Sequence, residues 1–179
     1  MLSNGLPDPA WDGTDTAYVG SNYFAAGDPD FPLIEDDNAY VTDRTLVMTL
    51  PPRAPIDIPT RQSSAGVARI RLTESYLVAH LAADGGSIEA AVVVGRWAYV
   101  DVLTYVDALG VCPGDPLDDM FIRSFSVLVQ RSLDVRSVAG TGGPTVDCDA
   151  LSAALPFETG PSVIWGGPQP LTITPATCP

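Results

Sequence analysis

Residues 66–112 constrain this chain more than any other stretch. They read GVARIRLTESYLVAHLA, then ADGGS, then IEAAVVVG, then RWAYVDVLTYVDALG and Val111-Cys112. That is the pattern of strand, tight turn, strand and helix. Asp84-Gly85-Gly86-Ser87 offers two adjacent residues that accept positive φ, as a two-residue hairpin loop requires. In the first arm Ile70 and Leu72 share a face with Tyr76 and Val78, and the arm is long enough for a bulge near Glu74-Ser75, where the apolar face switches. The second arm is almost continuously apolar after Glu89, as suits a strand covered on both sides. Over residues 97–109 the spacing predicts a helix with Trp97, Val100, Leu103, Thr104 and Ala108 near one stripe and Asp101 and Asp107 outside it. Gly110 supplies a left-handed cap.

A second helix is predicted to open at Asp115-Pro116, an N-cap carboxylate followed by proline at the first helical position. Leu117, Met120, Phe121, Ser124, Phe125 and Leu128 follow at helical spacing, to an end near Leu133. Residues 38–50 read as one strand, 54–59 as an extended edge segment, and 150–157 as another strand. Short closing strands are expected at 162–165 and 171–173. Residues 1–43 are rich in proline, glycine and aspartate and read as an irregular arm packed on a single domain spanning 44–179. The fold class is α+β: an antiparallel sheet, sandwich- or barrel-like, with two inserted helices.

Charge excludes some functions. The chain carries 22 acidic residues against nine arginines and no lysine, a formal charge of −13. Binding to phosphate backbones or anionic membranes needs a cationic face, and the scattered arginines make none. Nucleic acid is therefore excluded as a partner. No apolar run approaches the 18 residues of a membrane helix.

The candidate sites are few. Asp28, Asp30, Glu35, Asp36 and Asp37, with Asp43 nearby, are candidate calcium ligands, because calcium takes oxygen ligands from flexible loops. Their spacing matches no EF-hand, and a solvated acidic surface is the plainer reading. Asp147 and Asp149 are a weaker version of the same idea. His80 has the pKa range for acid–base work but no motif beside it, and reads as a surface or structural histidine. The tryptophans Trp11, Trp97 and Trp165 read as core. Of three cysteines, Cys112 and Cys148 sit at element boundaries and are expected to form a disulfide, the alternative being two unpaired thiols; Cys178 is left over.

The start, Met1-Leu2-Ser3-Asn4-Gly5, has no charged segment followed by an apolar one, so it reads as a cytoplasmic start or as the start of an excised mature fragment. The expected disulfide, the missing lysines and 17 prolines favour the second.

Ala108 to Cys112 (ALGVC) and Cys148 to Ser152 (CDALS), in that order after a strand pair, resemble uncharacterised secreted or lipoprotein-type domains of myxobacterial-like Gram-negative bacteria. The resemblance spans roughly residues 45–157. It implies an extracytoplasmic location (periplasm, outer-membrane surface or extracellular) and a paired Cys112 and Cys148. It implies no activity. The expectation is a non-enzymatic exported binding or structural module of the cell envelope, needing no cofactor and meeting an envelope protein or its own copies. A self-assembling surface-layer or filament subunit, a calcium-dependent adhesion domain and an Asp/His hydrolase are alternatives, in that order.

Overall fold

The computed structural model describes residues 12, 14, 16–59, 67–108, 111, 114–157 and 164–169. They fall into two compact units, one drawn from 1–51, 75–94 and 154–172 and the other from 52–74, 95–153 and 173–179. The fold is α+β. Its main sheet is antiparallel with five strands: β2 (Tyr40–Thr42), β3 (Thr45–Thr49), β6 (Thr73–Leu81), β7 (Ile88–Ala98) and β8 (Ala150–Phe157), in the order β2-β3-β6-β7-β8. The sheet stays open, so of the two expected forms the barrel is ruled out. Among the described residues no helix is long and apolar enough to cross a membrane.

In the first unit, β1 (Thr16–Gly20) pairs in parallel with β9 (Ile164–Gln169). The expected closing strand at 171–173 lies outside the described residues. The expected single strand over 38–50 is instead a hairpin. Asp43 and Arg44, at φ 46° and 63°, make a two-residue loop, and Thr42 pairs with Thr45 across it. Both central residues of such a loop need positive φ, and neither is a glycine that would have signalled it. The turn after β6 is placed as expected but is longer: residues 82–87 link the strands, Ala82 N–H donates to Ser87 O at 2.9 Å, and only Gly85 is left-handed.

The long arm preceding that turn breaks in two, β5 (Val67–Arg71) and β6. Even positions Ile70 and Leu72 are buried before the break, and odd positions Ser75 and Ala79 after it. Glu74, at φ 49°, is where the parity changes. The switch expected near Glu74-Ser75 is therefore present, and it leaves Tyr76 on the exposed side.

In the second unit, β4 (Pro55–Pro59) pairs antiparallel with β5, and the directly opposed Asp57 and Arg69 join through two hydrogen bonds of 2.7 and 2.9 Å. Helix α1 (Tyr99–Ala108) packs on β5. Its buried positions are Asp101, Val102 and Val106, whereas Val100 is exposed. The expected stripe through Val100 is thus rotated, and Asp101, placed outside it, faces inward. The reason is a partner. Arg53 Nη1 and Nη2 donate to the two Asp101 carboxylate oxygens at 2.8 and 2.6 Å. A buried carboxylate is tolerated only with such pairing. Trp97 lies at the end of β7 rather than in the helix, half-buried, edge-on to Tyr105 at 5.3 Å between ring centroids.

Candidate interaction surface

Helix α2 (Pro116–Ser132) belongs to the second unit and starts where expected. Asp115 caps it, accepting from the Leu117 and Asp118 N–H groups at 2.8 and 3.3 Å. A cap of this kind contributes about 1 kcal/mol. Asp118 and Asp119 stand in the first turn and Arg131 in the last, each matched in sign to its end of the helix dipole.

One side of α2 is anchored. Val129 is buried, with Ile122, Phe125 and Ser126 half-buried around it. Tyr99 OH, at the start of α1, lies 3.2 Å from Ser126 Oγ and accepts from Gln130 Nε2 at 2.9 Å. At 100° per residue the anchored positions centre on one side of the helix.

The other side is apolar and open. Leu117 is 71% exposed, Leu128 63% and Met120 60%, and Phe121 and Val127 are also exposed. With Ser124 these residues form a stripe at i, i+3, i+4 and i+7 spacing from Leu117 to Leu128. Phe121 stacks on Phe125 at 5.7 Å. A shallow groove runs beside the stripe, lined by Pro116, Asp119, Met120, Arg123 and Ser124. Burying one such side chain is worth about 1.5–3 kcal/mol, so a contiguous row left in water marks a contact surface. The residues of this stripe were legible as helical. Their exposure was not, although a signal existed: α2 carries two apolar arcs, more than one neighbour can cover.

The other anticipated sites come out as follows. No group of three or more His, Cys, Asp or Glu side chains able to hold a metal ion gathers among the described residues. Asp28 accepts from Asp30 N–H at 3.1 Å, and Asp36 accepts from the N–H groups of Asn38 at 2.9 Å and Thr49 at 2.6 Å. Glu35 and Asp37 belong to the same loop, Asp37 in a turn. The Thr49 N–H, then that of Asn38, holds Asp36 below the usual carboxylate range. His80 Nε2 is 3.6 Å from Glu89 Oε2, both side chains exposed, a cross-strand contact too long for a hydrogen bond.

Asp149 is occupied by Ser137, whose N–H and hydroxyl it accepts at 2.5 and 3.1 Å, and by Arg136 at 3.1 Å. The Ser137 N–H above all lowers its pKa. Asp134 is lowered likewise, first by the Ser152 hydroxyl and then by the Ser152 N–H. These carboxylates pin the residue 133–149 loop to the start of β8. Cys148 is half-buried with a free thiol, and Cys112, its expected partner, lies outside the described residues, as do Cys178 and Trp11. The structure gives the Cys112–Cys148 pairing no support. Compared with protein-family models, with curated proteins and with solved structures, the chain matches none.

Proposed function

We propose that this chain is a non-enzymatic binding or structural module exported to the bacterial cell envelope, and that it holds its partner through the open face of α2. The observation carrying the reading is the row Leu117, Met120, Phe121, Val127 and Leu128 standing in water on a helix that is capped and anchored from its other side. The charge supports it indirectly. At −13 the surface keeps the chain dissolved and repels nucleic acid, which leaves an uncharged stripe as the place for selective contact. The likeness of residues 108–112 and 148–152 to secreted domains supports the envelope location.

The test is a double variant, Met120→Gln with Leu128→Gln, which keeps good helix formers in place. If the face is a docking surface, the melting temperature stays within about 3 °C of the parent while binding of a hydrophobic dye falls several-fold. Were the two side chains core, each would cost about 2–5 kcal/mol, and the melting temperature would fall by well over 10 °C, at about 2–4 °C per kcal/mol.

A further inference from the structure

We infer that residues 134–137 are an acid-released guard on the outer edge of β8, latched by two carboxylate–serine clamps. The inference is independent of the α2 face.

Among the described residues β8 stands last in its sheet, so the outer edge of its backbone has no strand beside it. Residues 150–153 carry no charged side chain, and an uncharged edge is a template for stray pairing. The guard occupies that edge. Ala150 N–H donates to Val135 O at 3.0 Å, and the N–H groups of Asp134 and Val135 donate to Ala150 O at 3.1 and 3.2 Å. Alternate residues of a strand aim their backbone groups the same way, so the Ser152 N–H points to the same edge. It is taken by a side chain. The Asp134 carboxylate accepts it at 2.7 Å and accepts the Ser152 hydroxyl as well. The second clamp runs the opposite way, from the strand side to the guard: Asp149 accepts the Ser137 N–H and hydroxyl at 2.5 and 3.1 Å. The two clamps thus flank the Val135–Ala150 bridge.

Residues 138–147, which follow the guard, are all exposed, and a segment with few buried contacts opens locally before its unit unfolds. Two further bonds hold the guard without titrating in acid: Arg96 Nη1 donates to Arg136 O at 2.7 Å and Thr73 Oγ1 to Ser137 O at 2.6 Å. Arg136 is the cation facing the clamps. Its Nη1 stands 3.1 Å from Asp149 Oδ2 and donates to Asp147 O at 2.7 Å, whereas Asp134 makes no ion pair among the described residues. Hydrogen bonds to a carboxylate are stronger than those to a neutral acceptor, so protonation weakens both clamps. The same bonds hold both carboxyls below the ordinary aspartate value of 3.8. A value lowered by folding means the latch is at full strength above about pH 3.8 and is lost as the pH falls further. The edge stays covered at any milder pH.

The test is amide hydrogen exchange read residue by residue, corrected for the intrinsic effect of pH and compared between about pH 6 and about pH 3. Protection of the Ala150 and Ser152 amides is expected to fall by about tenfold or more in acid. The Val129 amide of α2, which reports opening of the whole unit, should change less than about twofold. Asp134→Ala should show the acid value at Ser152 already at the higher pH, with no pH dependence left there. Unchanged protection at Ala150 and Ser152 in acid overturns the inference. A fall matched at Val129 also overturns it, since that is acid unfolding of the whole unit. So does an Asp134→Ala chain that keeps the parent's pH dependence at Ser152. If Asp134→Ala does not fold, the comparison of Ser152 with Val129 in the parent decides by itself.

Discussion

Arg53→Ala is expected to destabilise the unit that contains α1 by about 3 kcal/mol, the low end for breaking a buried ion pair. The two partners are not equivalent. Asp101 is 7% exposed and Arg53 47%. Removing the arginine strands a buried carboxylate that accepts both of that guanidinium's hydrogen bonds. Removing the aspartate leaves a guanidinium that water can still reach, so Asp101→Ala should cost less, about 1–2 kcal/mol. Backbone strain gives a second handle. Arg53 sits at φ 60°, a conformation that costs a non-glycine residue about 1 kcal/mol or more. Arg53→Gly should therefore be milder than Arg53→Ala by about 1 kcal/mol. Urea unfolding midpoints of the three variants check the order. An Arg53→Ala variant no less stable than Asp101→Ala would show that the pair is solvated and contributes little.

Leu72→Ala should cost about 3 kcal/mol or more, whereas Leu128→Ala should cost under about 0.5 kcal/mol. Both replace leucine by alanine, so the difference isolates position. Leu72 is fully buried between β5 and β6, and its carbonyl accepts from Arg53 N–H at 2.9 Å, so the cavity opens beside the ion pair. Leu128 projects from the open side of α2 and is largely exposed, so truncating it gives up little burial. Thermal and urea unfolding of the two variants read the contrast. Equal losses would mean that α2 is covered within the chain itself.

How much of this was legible in the sequence depended on whether the signal was local. Asp115-Pro116 fixes a helix start from two adjacent residues, and the mostly apolar run Ala150–Phe157 reads as a strand, so both stand where expected. A switch of face near Glu74 was expected from the length of the arm, but its consequence was not: Tyr76, grouped with Ile70 and Leu72, falls on the exposed side. The β2–β3 hairpin was not visible, because Asp43 and Arg44 adopt positive φ without a glycine to announce it. Asp101 was misplaced for a different reason. Its burial is licensed by Arg53, 48 residues earlier, and no helical periodicity can report a partner that distant. The α2 stripe lies between these cases: spacing revealed that the residues share a face, but whether a face meets protein or water depends on how many neighbours the fold supplies.

Whether the α2 face is open to water in the free chain is measured directly by methionine oxidation. Dilute protein would be treated with hydrogen peroxide, and sulfoxide formation followed at Met120 and at Met48, which is half-buried in β3 and serves as the internal reference. Met120 is expected to oxidise several-fold faster than Met48. A Met120 that oxidises no faster than Met48 in dilute solution would mean the stripe is covered within one chain, contradicting the account.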